Sequence, residues 1–305
     1  VRGVAAGAIK ALLFSRSESL AILQPAVDSL LDDPHPAVRA AAIGLALPLF
    51  NIDRSDAIDA FLRACSHHQD GVFERYDLDT FLSHSIEDHT DRLKPLISRM
   101  MSSRIGKIAK SGAVWASVAW SHRGLIEDLA NKCADGNHWQ RIGVARGLSA
   151  AVIRGYDDET VRGRLCTLFD DPDKSVRDAA SDVLRNDGLF DQASSALIVE
   201  TFVRSLALDD NVGDLLIGLN GLTKPLEPYA LSLCELADRF AGPLAAEAGN
   251  LQTRKSLDVG LLAKVLLRLY EQSEHDRPLR RRCLTAWDGL LREGLGYDVW
   301  ADIDK

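Results

Sequence analysis

Leu31-Asp32-Asp33-Pro34-His35-Pro36-Ala37-Val38-Arg39-Ala40-Ala41 returns later in the chain as Phe169-Asp170-Asp171-Pro172-Asp173-Lys174-Ser175-Val176-Arg177-Asp178-Ala179. Each copy is an acidic-Pro turn followed by Val-Arg and an alanine-rich apolar run. The Arg serves as a ruler. Matching cations stand at Arg2, Arg39, Arg75, Lys110, Arg141 and Arg177, separated by 37, 36, 35, 31 and 36 residues. A near-fixed period of this length marks a protein of stacked units, each touching only its neighbours. Val1-Arg2-Gly3-Val4-Ala5-Ala6 matches the second half of a unit, and the chain lacks an initiator Met. The sequence is therefore expected to be a piece of a longer protein whose first apolar helix, Val4 to Leu13, lacks its partner.

Around the two sharp copies, a 3.6-residue apolar period predicts helices in pairs. Leu20, Ile22, Leu23, Ala26, Val27, Leu30 and Leu31 form one stripe in a helix over 18–31. Pro34 ends it, because a proline disfavours a helical residue before it. The run 38–50 is apolar nearly all round and reads as one sandwiched helix. Further helices are predicted over 55–65, 72–82, 92–101, 105–120, 125–132, 139–153, 159–169, 175–184, 193–208 and 213–222. Asp214 stands there where the ruler expects a cation. Beyond Leu222 the register loosens at Lys224-Pro225-Leu226-Glu227-Pro228, with helices over 229–240, 244–249, 257–270 and 279–292 and a terminal cap over 297–303. Residues 1–222 read as the regular repeats. Residues 223–305 read as less regular repeats with a C-terminal cap, or alternatively as a separate small domain. No segment alternates with period two, so strands are not expected.

Composition narrows the function classes. The chain has 305 residues, 46% hydrophobic and 26% charged, ordinary for a cored globular protein. No apolar run is long enough for a membrane span, and no secretory leader is visible. A net charge of -8 disfavours a nucleic-acid surface, which needs clustered cations. Cys65, Cys133, Cys166, Cys234 and Cys283 form a scattered odd set, the pattern of free thiols in a reducing, cytoplasmic compartment.

The acidic turn followed by Val-Arg-x-Ala-Ala resembles HEAT repeats. The resemblance implies an all-α, HEAT-like α-α superhelix, a solenoid of about eight helix pairs, used as a scaffold that binds proteins. It also implies a ladder between the turn Asp and the Arg of adjacent repeats, here Asp33 with Arg39 and Asp171 with Arg177. The segment from Arg280 to Tyr297 resembles the tails of large bacterial STAND-type (NACHT-like) ATPases. That likeness implies a ligand-sensing region attached to an ATPase domain elsewhere in the full-length chain.

Chemistry-bearing motifs are sparse. There is no Gly-x-x-x-x-Gly-Lys-Ser/Thr loop, no His-Glu-x-x-His and no Cys-x-x-Cys. His67, His68, His84, Asp88 and His89 form the densest polar cluster. His84 and His89 are five apart, off the three-or-four spacing of one helix face, so the cluster reads as solvated. Arg277, Arg280, Arg281 and Arg282 form a basic run that Glu274, Asp276 and Asp288 are placed to neutralise. Of Trp115, Trp120, Trp139, Trp287 and Trp300, the first two sit in an apolar helix and read as core, and Trp300 as the freest. No catalytic, cofactor-binding or metal-ligating residue is assigned. The expected function is a non-enzymatic protein-interaction or sensing module with a protein partner on the concave face. Its enzyme alternative is a HEAT-like DNA glycosylase or other lyase, which would use a positive concave face with an inward Asp and Trp.

Overall fold

The computed structural model describes residues 1–66, 73, 76–240 and 254–292. Among them the chain is entirely helical, with no strand. It divides into two compact units, Val1–Gly147 and Leu148–Lys305. The predicted helix over 244–249, the cap over 297–303, Trp300, and the His67-His68 pair lie outside the described residues.

In the first unit the helices are α1 (Arg2–Ser15), α2 (Leu20–Leu31), α3 (Pro36–Ala42), α4 (Ala46–Phe50), α5 (Arg54–Ala64), α6 (Tyr76–Met101), α7 (Gly106–Arg123) and α8 (Glu127–Ala134). Helix α9 (His138–Ile153) carries the chain past the unit boundary. The second unit holds α10 (Glu159–Thr167), α11 (Lys174–Ser181), α12 (Asp187–Phe190), α13 (Ser195–Val203), α14 (Leu208–Gly221), α15 (Ala230–Phe240), α16 (Arg254–Gln272) and α17 (Arg277–Arg292).

The two signature copies build the same turn, bond for bond. Asp33 accepts from the His35 N–H at 2.9 Å, and Asp171 from the Asp173 N–H at 2.8 Å. His35 then caps α3 by accepting from Ala37, as Asp173 caps α11 by accepting from Ser175. These side chains satisfy backbone donors that have no partner inside the helix. The Val of each copy turns inward: Val38 is 8% exposed and Val176 0%. A tightened 3-10 segment follows in both, at 43–45 and 182–185. The single helix expected over 38–50 is thus two short helices around that segment. Pro48 contributes, since it has no N–H to continue an α-helical ladder.

A second difference concerns the helices expected over 72–82 and 92–101. They are joined in α6, which is bent at His89 (φ −127°, ψ 25°) rather than interrupted by a loop. The ladder also differs from expectation. Arg39 donates to the Asp33 backbone carbonyl at 2.5 Å, and Arg177 to that of Asp171 at 2.9 Å. Arg141 does the same with Gly136 at 3.0 Å. Two ruler arginines reach carboxylates about one period on: Arg2 pairs with Asp33 at 3.1 Å and Arg177 with Asp210 at 2.8 Å.

Bonds between residues about one period apart recur along both units. In the first, Arg63 reaches Asp28 and Asp32, Arg92 reaches Asp59, and Lys94 reaches Asp128, over separations of 31 to 35 residues. In the second, Asn211 reaches Asp178 and Ser195 meets Tyr229, over 33 and 34 residues. Arg204 reaches Glu235 over 31 and Arg239 reaches the Val203 carbonyl over 36. At α16 the span lengthens: Arg268 donates to the Leu219 carbonyl across 49 residues and Gln272 accepts from Leu226 across 46. Exposed ion pairs of this kind are worth under about 1 kcal/mol each, so the apolar packing between helices does most of the holding. In the second unit α10, α13, α15 and α17 pack in succession, and α11, α14 and α16 form a parallel series. Phe169 meets Phe202 edge-on at 5.5 Å within that core, and Phe61 stacks on Phe81 at 4.2 Å in the first unit.

Helix α1 buries only Ala6 and Leu13, while Val4 is 78% exposed and Phe14 is also exposed. Few buried contacts mean a low free energy of local opening. Hydrogen exchange should therefore show α1 losing protection well before α3 and α11; equal protection across the three would refute this. No helix among the described residues is long and apolar enough to cross a membrane.

Candidate functional site

The one ruler position filled by a lysine is where the surface chemistry concentrates. Lys110 has no guanidinium fork with which to make the turn-carbonyl bond of Arg39, Arg141 and Arg177. It lies on α7, one turn after Lys107, where α9 crosses. That crossing is tight because Gly143 and Gly147 face α7. A Cβ on Gly143 would stand 2.4 Å from the Lys110 carbonyl oxygen and 2.6 Å from Ala113 Cβ. One on Gly147 would stand 2.6 Å from Ser117 Cβ and 2.8 Å from the Val114 carbonyl oxygen. Residues 139, 143 and 146 recur every three or four positions and so share one face of α9. At one end of the crossing, Trp139 lies over Gly106, the first residue of α7, and is 43% exposed. At the other, Arg146 is exposed beside Lys110.

The electrostatics of the crossing are repulsive. Burial, then Arg146, then Lys107 hold the half-buried Lys110 ammonium below its ordinary 10.5, and Asp79 alone opposes them. None of Lys107, Lys110 and Arg146 forms an ion pair among the described residues. Asp79 is instead engaged by its neighbours, accepting from Ser111 Oγ and from Trp115 Nε1, each at 2.8 Å. A base whose pKa falls on folding makes the unfolded chain bind more protons, so stability should rise with pH through the lowered value and level off by about 10.5. Comparing denaturation midpoints of the wild type and Lys110→Met across the alkaline range isolates this contribution. Equal slopes for the two proteins would rule it out.

The other sequence candidates fall out as follows. Trp115 and Trp120 are buried, and Trp287 is half-buried. His84 is exposed, His89 sits at the bend of α6, and Asp88 pairs with Arg54 at 3.5 Å. Among the described residues no group of His, Cys, Asp or Glu is arranged to hold a metal ion. In the basic run, Arg280 covers the Tyr270 ring at 4.2 Å. Arg277, Arg281 and Arg282 are exposed and, among the described residues, make no ion pair with Glu274, Asp276 or Asp288. The expected self-pairing is replaced by solvation and one cation–π contact. Burial pushes the Cys65 and Cys133 thiols up to about 12, which leaves them poor nucleophiles at neutral pH. Asp214, the acidic exception on the ruler, is 2% exposed and pairs with Arg185 at 2.6 Å.

Lys107, Arg146 and Asp79 do not stand out in the sequence as site residues. The signals it carries are the substitution of Lys for Arg on the ruler, the Lys107-x-x-Lys110 spacing, and the Gly143-x-x-x-Gly147 pair. No protein-family model, curated protein or solved structure matches this chain.

Proposed function

We propose that this chain is a HEAT-like α-solenoid of about eight helix pairs that acts without catalysis, binding another protein across a broad concave face in the cytoplasm. The observation that carries the reading is the recurrence of hydrogen bonds and ion pairs between residues 29 to 37 apart, in the first unit and in the second up to α15. Units tied mainly to their neighbours, with the Lys10–Asp77 pair reaching one unit further, give an extended surface, whose natural use is wide contact with a partner. The likeness of Arg280 to Tyr297 to STAND-type tails makes an attached ATPase domain the recipient of the binding signal.

The test is the breadth of the contact. A photo-crosslinking residue placed in turn at Val114 of α7, Ala150 of α9 and Ile217 of α14 should trap one and the same partner. Trapping from a single position only would mean a local pocket and would overturn the proposal. The second reading, a DNA glycosylase, draws on Asp79 and Trp115 standing beside Lys110. Release of modified bases from alkylated duplex DNA above the buffer rate would put that reading in its place.

A further inference from the structure

The α7–α9 crossing presents three cations that the fold does not use. Lys107 and Arg146 are exposed, Lys110 is half-buried, and none has an anionic partner within ion-pair distance among the described residues. Elsewhere in the first unit several cations are engaged: Arg63 with Asp28 and Asp32, Arg92 with Asp59, and Lys10 with Asp77 at 2.7 Å. The exposed Arg16, Arg104 and Lys132 are, like the three at the crossing, outside any ion pair among the described residues. The close approach at Gly143 and Gly147 forces the three like charges together, against the interest of stability. Next to them lies a large apolar ring, Trp139, left 43% exposed over the first turn of α7. That turn has no side-chain cap on its backbone donors, so its positive end adds to the local field.

Building on the binding-module reading, we infer that this crossing docks an acidic protein segment, with Lys107, Lys110 and Arg146 taking its carboxylates and the Trp139 indole its neighbouring apolar side chain. The size and sign of the surroundings select a peptide over a nucleic acid. A duplex carries one charge per about 1.7 Å of axis and tight binders neutralise some six to ten phosphates; this patch offers three cations. The exposed Asp79 carboxylate beside Lys110 interrupts the positive surface and shortens the run of anionic groups that the patch can accept. A peptide can place a few carboxylates at the patch and leave Asp79 unopposed. Indole beside cations is also the composition that concentrates energy in protein interfaces.

The experiment measures fluorescence anisotropy of a fluorescein-labelled oligoglutamate peptide bearing one leucine, titrated with the full chain at low salt. An oligo(dT) of equal charge serves as the competing probe. The peptide should bind saturably, more tightly than oligo(dT), and the double variant Lys107→Glu/Arg146→Glu should weaken it by about tenfold or more. Lys110→Met should also weaken binding while melting no lower than the wild type, because it removes a repelled charge. That pairing separates a docking role from a structural one and stands even if the double variant fails to fold. No saturable peptide binding, unchanged affinity in Lys110→Met, or tighter binding of oligo(dT) would each overturn the inference. If those failures occur while the crosslinks from Val114, Ala150 and Ile217 still trap one partner, the binding module stands and only the acidic partner is lost.

Discussion

Val176→Asp should lower the stability of the second unit by about 3–5 kcal/mol, the scale of a buried carboxylate left without a partner. Val176 is 0% exposed in α11, in the repeat that holds Phe169 and Leu184, and Phe169 in turn meets Phe202 of the next helix pair. One effect works the other way. Residue 176 lies in the first turn of α11, where a negative charge meets the positive end of the helix dipole. That gain is about 0.3–1 kcal/mol at exposed sites, too small to reverse the sign. Val38→Asp should cost less, because Val38 retains 8% exposure and its carboxylate would have a short way to water. If neighbouring repeats alone couple, hydrogen exchange in Val176→Asp should rise first in α10, α11 and α13 and last in α17. An unchanged denaturation midpoint, or an equal rise in all four helices, would refute the placement of Val176 in a nearest-neighbour core.

That prediction depends on a register legible in the amino-acid sequence itself. The correspondence of Asp33, His35, Ala37 and Arg39 with Asp171, Asp173, Ser175 and Arg177 holds down to individual bonds. Such local turn chemistry follows from residue type and spacing, so a repeated string yields a repeated turn. The break at 43–45 is less legible, because a purely apolar run does not say where an α-helix tightens to a 3-10 turn. The partners of the ruler arginines escape the sequence for another reason. A sequence lists which charges exist but not which of two equidistant acids a guanidinium reaches. Arg177 chooses the Asp171 carbonyl and the Asp210 carboxylate, a residue 33 positions on. The cation cluster is hidden for the same reason: Lys110 and Arg146 are 36 residues apart, and two glycines that look unremarkable in sequence bring their helices into contact.

Those glycines supply the sharpest matched test. Gly143→Ala and Gly163→Ala place the same methyl group inside two helices, and the outcomes should have opposite signs. Alanine favours a helix over glycine by about 0.5–1 kcal/mol, through the lower entropy of the unfolded chain. At Gly163 in α10 a Cβ meets nothing within 4 Å, so that gain should appear in full as a higher denaturation midpoint. At Gly143 the new Cβ would lie 2.4 Å from the Lys110 carbonyl oxygen and 2.6 Å from Ala113 Cβ. The first obstacle is backbone and cannot rotate aside, so α9 must move off α7. Overpacking of this kind costs about 1–3 kcal/mol, which outweighs the propensity gain, and the midpoint should fall. The displacement has a second consequence. Moving α9 outward carries Arg146 and Trp139 away from Lys107 and Lys110, dispersing the charges gathered at the crossing. Gly143→Ala should therefore lose affinity for the oligoglutamate probe as well as stability, and Gly163→Ala should keep the affinity and gain stability. A stabilised Gly143→Ala, or one that binds the peptide as the wild type does, would show that the close approach of the two helices is not what assembles the cluster.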